Sequence, residues 1–548
     1  MTSNVSTTSA FAALSSCLSS ELRCFFDALE CNQATHRILH MRKGRQQLES
    51  YLMMQYSGAT SFEQLIRKNS LQWEHHVNKA DKSNKLRVQK RQLLSNLLPG
   101  LQHVIDIRVG RPGKPDDAVY LEDEYARKWL PRGNCIAKWK DKEMTYCFPL
   151  IRGLRKFTGQ EDDGELAQEE QKDKHGIDGD LAIQTKKKKL LDNSKLKGQL
   201  EKEKQLKFFT KPQSESRWMI STTKENGEAG HLAVLKRSDG DFIYVLGSKN
   251  THLIAQVADD VERTQMIHQK DGSADMFYSA APIATAILRM LSALEPSKRR
   301  LLQEFLWQTR ATACFEVLML NHQHVQSLDY LVENTPVFYG LSLMTLNPLE
   351  GAEICVNPVL IFEIMRALGV RTVNFEILEV DGIGDKAAIE RTKNDYQVEG
   401  CVYLFLDDNA VVIGMQKQKS IWYVCLRAIR EKAKTFCRTL ISKNFGKDRT
   451  APLSPAEALD LVMESLHKRF IAIKQFLQIS LEVSQAYETL GKQFLEYLYQ
   501  KELFNGNFAE INQVEKIRQV ARDVSNFFPI VWKKFLNETG LSDYIVSN

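Results

Sequence analysis

A short apolar and β-branched run, Ile220-Ser221-Thr222-Thr223, closes on Lys224-Glu225-Asn226-Gly227. That pattern holds a lysine at the end of a strand, beside a turn where backbone comes close to a ligand. It is how a lysine nucleophile would be presented to a nucleotide phosphate. The motif alone is equally that of a solvated turn residue, and Arg237-Ser238-Asp239-Gly240 just after it reads as a plain hairpin turn. What separates Lys224 from an ordinary turn lysine is an ordered series of charged motifs downstream, each set on a strand-like stretch.

Those stretches fill the middle of the chain, and helical patterning fills its ends. From Glu21 to Leu98 apolar residues recur at helical spacing (Leu22, Phe25, Phe26, Leu29, then Ile38, Met41, Leu48, Leu52). Basic clusters such as 85–91 could touch phosphates but are more simply the solvated face of a helix. Short strands with turns run from Gln102 to Gly159, ending in a loop rich in cations near glycines (Arg132, Arg152, Arg155, Lys156) that suits phosphate oxygens. Residues 160–205, dense in Glu, Asp, Gln and Lys, read as a surface insertion, mobile or partly helical. Strands resume at Phe208, with helices expected over Ile283 to Leu294, Ser297 to Thr309 and Pro358 to Leu368. Beyond Arg427 the chain is helical, with a capping box at Ser454-Pro455-Ala456-Glu457 and one apolar stripe from Leu459 to Leu481. Further helices are expected over Phe508 to Phe527 and Ile530 to Leu536. The expected division is an N-terminal helical region over 1–100, a sheet-rich domain over 101–440 and a C-terminal helical domain over 441–548.

Composition bounds the partners. A chain of 548 residues with 43% apolar content has ordinary cores, and a net charge of +6 merely permits a polyanion. The ten cysteines are scattered without Cys-x-x-Cys or Cys/His ligand spacing, as buried thiols in a reducing compartment would be, and no structural zinc is expected. No apolar run reaches about 18 residues, so no membrane span is expected. The first twenty residues lack acids, arginines and a signal-like apolar core, and cytosol or nucleus is the expected location.

Two carboxylates lie on apolar strand-like segments, Glu316 in Ala313 to Leu320 and Glu399 at the start of Gly400 to Leu406. Each needs a cation, a hydroxyl pair or a metal-bound water opposite it. Lys417 and Lys419, two apart on a strand, point to one face and repel each other unless a polyanion lies between them. In order the chain therefore gives Lys224-Glu225-Asn226-Gly227, Gly247-Ser248-Lys249-Asn250, Phe315-Glu316, Glu399-Gly400 and Lys417-Gln418-Lys419-Ser420, with Tyr423 just after. This series resembles the nucleotidyltransferase motifs of ATP-dependent RNA ligases, in the branch of the phage RNA-repair ligases and fungal-type tRNA ligases. The segments around Arg132-Gly133 and Arg152-Gly153 to Phe157 look like that branch's upstream elements. The resemblance covers roughly 125 to 435. Asn226 stands where aspartate is commoner, and Thr158 where an aromatic is usual.

The resemblance implies an α+β fold: an adenylyltransferase domain of antiparallel sheets with helices, flanked by helical regions. It implies an enzyme that joins 5′-phosphate and 3′-hydroxyl RNA ends, in RNA repair or tRNA splicing. ATP and Mg2+, with Mn2+ as a substitute, would be its cofactors. Lys224 would form a phosphoramidate with AMP, which requires its ordinary pKa to fall by burial and neighbouring cations. Lys417 and Lys419 would hold the α-phosphate, and Arg132, Arg152 and Lys156 the β- and γ-phosphates. Glu225, Asn226 and Gly227 would belong to the nucleotide site, Glu316 would accept from the ribose hydroxyls, Lys249 would lie near the nucleoside and Tyr423 or another aromatic would pack on adenine. Glu399 would lie by the metal. The chain has no phosphate-binding kinase loop and no paired His-x-Thr/Ser motifs, so end-healing would belong to separate enzymes. The alternatives are a DNA ligase or an mRNA-capping enzyme, which usually carry a β-barrel after the last lysine motif, and an RNA-binding scaffold that has lost catalysis.

Overall fold

The computed structural model describes residues 11–13, 17–31, 34–56, 61–93, 96–159, 206–269, 276–344, 355–445, 454–503 and 512–545. The expected insertion over 160–205 lies outside them, as does the start of the helix expected from Phe508.

Among the described residues the strands are β1 (Leu86–Arg91), β2 (Leu101–Val109), β3 (Asn134–Asp141), β4 (Met144–Arg152), β5 (Thr158–Gly159), β6 (Trp218–Thr223), β7 (Glu228–Lys236), β8 (Phe242–Ser248), β9 (His252–Ala255), β10 (Ala311–Leu318), β11 (Thr335–Leu343), β12 (Phe375–Glu379), β13 (Gly400–Leu406) and β14 (Val412–Lys419). They form a four-stranded meander β1-β2-β3-β4 and two five-stranded sheets, β11-β10-β7-β8-β9 and β12-β6-β13-β14-β5. Every pairing is antiparallel except that of β14 with the two-residue β5. The fold is thus a mixture of helices and antiparallel sheets.

The two five-stranded sheets explain the placement of Lys224. β6 belongs to one and β7 to the other, so Lys224–Gly227 is the crossover between sheets, not a hairpin. By contrast β7 and β8 are a hairpin, turned at Arg237–Gly240 with Gly240 at φ +93°, as the Asp-Gly pattern requires. β8 is buried at every residue because helix Ala280–Ala293 covers the sheet.

Helices Ser20–Cys31, Thr35–Tyr56 and Phe62–Asp81 share the main core: Leu22, Phe26, Leu48 and Phe62 pack into the same cluster as Phe305 and Leu360. Residues 1–100 are therefore not wholly helical, nor separate from the sheets. β1 lies inside that range, where alternation with β2 overrides the helical reading of 85–91. Arg91 turns inward onto Asp106, and Lys90 pairs with Asp81 at 3.2 Å.

A second core is built from helices Ile421–Phe445, Pro455–Leu477, Leu481–Tyr497, Asn512–Asn526 and Phe528–Thr539. It begins at Ile421, some twenty residues before the expected boundary. The capping box forms as expected: Ser454 Oγ accepts from Glu457 N at 3.2 Å and Glu457 accepts from Ser454 N at 2.7 Å. The stripe breaks sooner than expected. Gln478 adopts φ +53° and ends the helix, Ser480 caps the next one, and Leu481 faces solvent.

Candidate active site

Residues separated by up to two hundred positions converge at the sheet crossover. Lys224 follows β6, and its backbone N–H donates to Gly400 O at 2.8 Å, which fixes it beside the start of β13. Its Nζ lies 2.7 Å from Glu399 Oε1. Glu399 Oε2 accepts from Asn226 Nδ2 at 2.7 Å, and the same amide donates to Tyr423 OH at 3.2 Å. Asn226 Oδ1 accepts from the backbone N–H groups of Val325 and Gln326 at 3.1 and 3.2 Å. The buried amide thus has both donors and its acceptor satisfied. Asparagine rather than aspartate follows from this, since a carboxylate would face Glu399 without a proton to give.

Both glycines of the motifs are needed for close approach. A Cβ on Gly227 would lie 2.4 Å from Val317 O, and one on Gly400, at φ +136°, would lie 2.0 Å from Gln418 O. Gly227 N also donates to Glu316 Oε1 at 3.2 Å, which brings the second carboxylate into the cluster. β10 shifts register on β11 between Cys314 and Phe315, just before Glu316, a bulge of the kind that re-aims a side chain.

Lys417 and Lys419 occupy one face of β14, opposite Val402 and Gly400. Lys419 is buried, lies 5.6 Å from the Tyr423 ring and acts on Glu399. Ser420, not singled out from the sequence, ties the motif together. Its Oγ donates to Val398 O at 2.6 Å and accepts from Tyr423 N at 3.1 Å, and its N–H donates to Glu399 O at 3.0 Å.

The electrostatics correct one expectation. Burial acts to lower the Lys224 pKa, but Glu399 and Glu316 outweigh it, and the pKa is raised. Lysine 224 is therefore held protonated here, because its nearest partners are carboxylates and not the motif lysines. Glu399 has burial pushing its pKa up, but Lys224, Lys419 and the Asn226 hydrogen bond hold it below the ordinary value. Burial pushes Glu316 up to about 7, against the pull of Lys224. Glu399 already meets Lys224 Nζ and Asn226 Nδ2, and Glu316 meets Gly227 N, so a hard cation such as Mg2+ would be held here through its water shell.

The other expected residues divide into groups. Arg132, Lys156 and Lys249 come together, but on an acidic pair the sequence reading missed. Asp116 accepts from Arg132 at 2.9 Å and Lys249 at 2.8 Å, and Asp117 pairs with Arg132 at 3.3 Å and with Lys156. The signal was Pro115-Asp116-Asp117, two acids in the first turn of helix Asp116–Glu122. Burial opposes ionisation of Asp116, but Arg132 and Lys249 hold its pKa far below the usual carboxylate range.

Arg152 is not in that group. It is 1% exposed, its guanidinium lies 5.5 Å from the Trp73 ring centroid and it donates to Trp129 O at 3.2 Å, so it props the core, with Nε and Nη1 left without a hydrogen-bond partner among the described residues. Glu225 accepts from Thr223 at 3.4 Å, and burial raises its pKa against the pull of Arg371 and Lys224. Tyr423 is 4% exposed and packed in the C-terminal core, with its hydroxyl on Asn226 and its ring facing Lys419 Nζ. Ile421 opens a helix there, and Trp422 and Tyr423 pack into that core.

Residues 204–430 match the model of a family described as a domain of unknown function, DUF7920. That span holds Lys224, Asn226, Glu316, Glu399, Lys417, Lys419 and Tyr423, and leaves out the Arg132, Arg152 and Lys156 segments. No curated protein matches the chain. Among solved structures, an archaeal ATP-dependent RNA ligase (form 1) superposes with a TM-score of 0.35 at 10% identity, over 87% of this chain and 82% of that one. A superposition that loose carries no argument about chemistry.

Proposed function

We propose that the chain is an ATP-dependent RNA ligase that adenylylates Lys224 and joins 5′-phosphate to 3′-hydroxyl RNA ends. The observation that supports this reading best is the convergence of Lys224, Asn226, Glu316, Glu399 and Lys419 at one crossover between sheets. A structural ion pair would need only Lys224 and Glu399. The remaining members are what a lysine nucleophile for a nucleotide requires: a second carboxylate able to hold a proton, and cations on the adjacent strand.

Lys224 attacks only after giving up its proton. Glu399 is the group that keeps the proton on, and Glu316, about half protonated near neutral pH, is the carboxyl in the cluster able to take it. The lysine nitrogen then bonds to the α-phosphorus as the bond to pyrophosphate breaks. Lys417 and Lys419 offset the charge that develops on the α-phosphate. Glu399 would hold a hydrated divalent ion, whose charge would offset that of the leaving pyrophosphate. The RNA 5′-phosphate next displaces Lys224, which leaves as the amine, to give adenylylated RNA. The 3′-hydroxyl then displaces AMP and seals the strand. Arg132 and Lys156 serve the β- and γ-phosphates by exchanging the Asp116–Asp117 pair for phosphate oxygens; Lys249, expected near the nucleoside, shares Asp116 with Arg132 and is assigned here to the same phosphates, while Arg152 supports the loop from behind. Separate enzymes prepare the RNA ends. After Lys419 the described residues form helices, where DNA ligases and capping enzymes usually carry a β-barrel.

Incubation of nucleotide-free protein with labelled ATP and Mg2+, followed by a denaturing gel, tests the reading. A covalent label on wild type that Lys224→Ala abolishes supports it. No label on wild type, or an undiminished label on Lys224→Ala, overturns it.

A further inference from the structure

Glu228, His322 and His324 lie outside the lysine cluster and are used by nothing in the mechanism above. Glu228 is the first residue of β7, four positions after Lys224, and the histidines lie on the loop that joins β10 to β11. His322 Nδ1 is 3.0 Å and His324 Nε2 is 3.1 Å from the same oxygen, Glu228 Oε1, and the three donor atoms all lie within 4.8 Å of one another. The intervening residue holds the arrangement in place. Gln323 is buried and faces the other way, its N–H donating to Asn526 O at 2.6 Å and its Oε1 accepting from Leu328 N at 3.1 Å. Alternation along the loop then presents both imidazoles to Glu228.

We propose that Glu228, His322 and His324 form a site for a zinc-like divalent transition metal, distinct from any Mg2+ at Glu399. Donors bound about 2.0–2.2 Å from a tetrahedral ion stand about 3.3–3.5 Å apart. The two oxygen–nitrogen separations, 3.0 and 3.1 Å, are within a few tenths of an ångström of that. Two imidazoles and one carboxylate select a borderline ion such as Zn2+, Co2+ or Ni2+ over a hard, oxygen-seeking one. The side chains are 26 to 40% exposed, so an ion can enter and a water can complete its shell. The consequence reaches the lysine cluster. One residue past His324, Val325 N and then Gln326 N are the donors that hold Asn226 Oδ1. A metal here staples the loop that fixes Asn226, and through it Glu399.

Asp106, Cys135 and His252 also bring three donors together but are not such a site. Asp106 already accepts from Arg91, from His252 N at 3.2 Å and from His252 Nδ1 at 2.6 Å. Burial, reinforced by Asp106, keeps the Cys135 thiol protonated.

Titration of the full-length, metal-free protein with Co2+, read by visible absorption, tests the proposal without reference to ligase activity. The expected result is one equivalent bound with ligand-field bands and no sulfur-to-cobalt charge-transfer band, displaced by Zn2+. His322→Ala and His324→Ala should each weaken binding more than about 10-fold, since loss of even an outer-sphere partner costs that much. Their far-UV circular dichroism should match wild type. Failure of wild type to bind one equivalent overturns the proposal. So does binding that survives both histidine substitutions, or a charge-transfer band removed by Cys135→Ser.

Discussion

At the scale of single residues, the site turns on how two carboxylates share one lysine. Asn226 donates to Glu399 at 2.7 Å, and aspartate in its place would set two carboxylates against each other inside the protein. Asn226→Asp is therefore expected to cost about 1–3 kcal/mol, the penalty for a lost buried partner, and to slow Lys224 labelling. Urea midpoints and labelling rates that both match wild type would refute this. Glu316 supplies a pH signature. Its pKa rises from the ordinary 4.5 to about 7 on folding, so the unfolded chain ionises it first as pH climbs. The native state loses stability between those two values, on the order of 3 kcal/mol, and the loss levels off above the folded value. Lys224, whose pKa is raised, keeps its ion pair throughout that window and loses it only at alkaline pH. Glu316→Gln keeps the bond from Gly227 N but does not titrate. Its urea midpoint should change less between pH 5 and pH 8 than that of wild type, and parallel pH dependences would show that Glu316 is not shifted.

At the scale of elements, the crossover from β6 to β7 is the critical part. Its backbone passes so near β10 that a methyl on Gly227 would meet Val317 O at 2.4 Å. Backbone on both sides leaves little room to yield, so Gly227→Ala should destabilise by about 1–3 kcal/mol or more. It should also move Lys224 off Glu399, seen as lost labelling in protein that still refolds. A variant with full labelling and wild-type stability would mean the crossover is not held as tightly as this. Ser420 plays the matching part at the other edge, joining the end of β14 to Val398 and to helix Ile421–Phe445.

At the scale of the whole molecule, the C-terminal helices are tied to the site by one buried carboxylate. Asp543 accepts from Tyr396 OH at 2.6 Å, Trp422 Nε1 at 3.0 Å and Trp532 Nε1 at 2.9 Å. Tyr396 lies three residues before Glu399 and Trp422 one before Tyr423, so the tail braces both sides of the lysine cluster. Asp543→Ala strands three donors and should cost at least about 2 kcal/mol, with slower Lys224 labelling, whereas Asp543→Asn, which keeps an acceptor, should cost less. Equal midpoints for the two variants would show that the tail acts by packing alone.

The sequence by itself determined the local parts. The Asp-Gly turn, the capping box and the carboxylates on apolar strands are set by neighbours a few residues away, and they formed where patterning places them. The candidate nucleophile, the two carboxylates and Lys419 were legible because each reactive type lies within or at the edge of a strand-like stretch. Tertiary structure alone decided what those residues face. That Lys224 spans two sheets, that Asp116 and Asp117 occupy the expected phosphate cations, that Arg152 lies against Trp73 and that His322 and His324 meet Glu228 all depend on long-range pairing and core packing. A side chain's charge and pKa are set by what packs against it in space, and spacing along the chain carries no record of that.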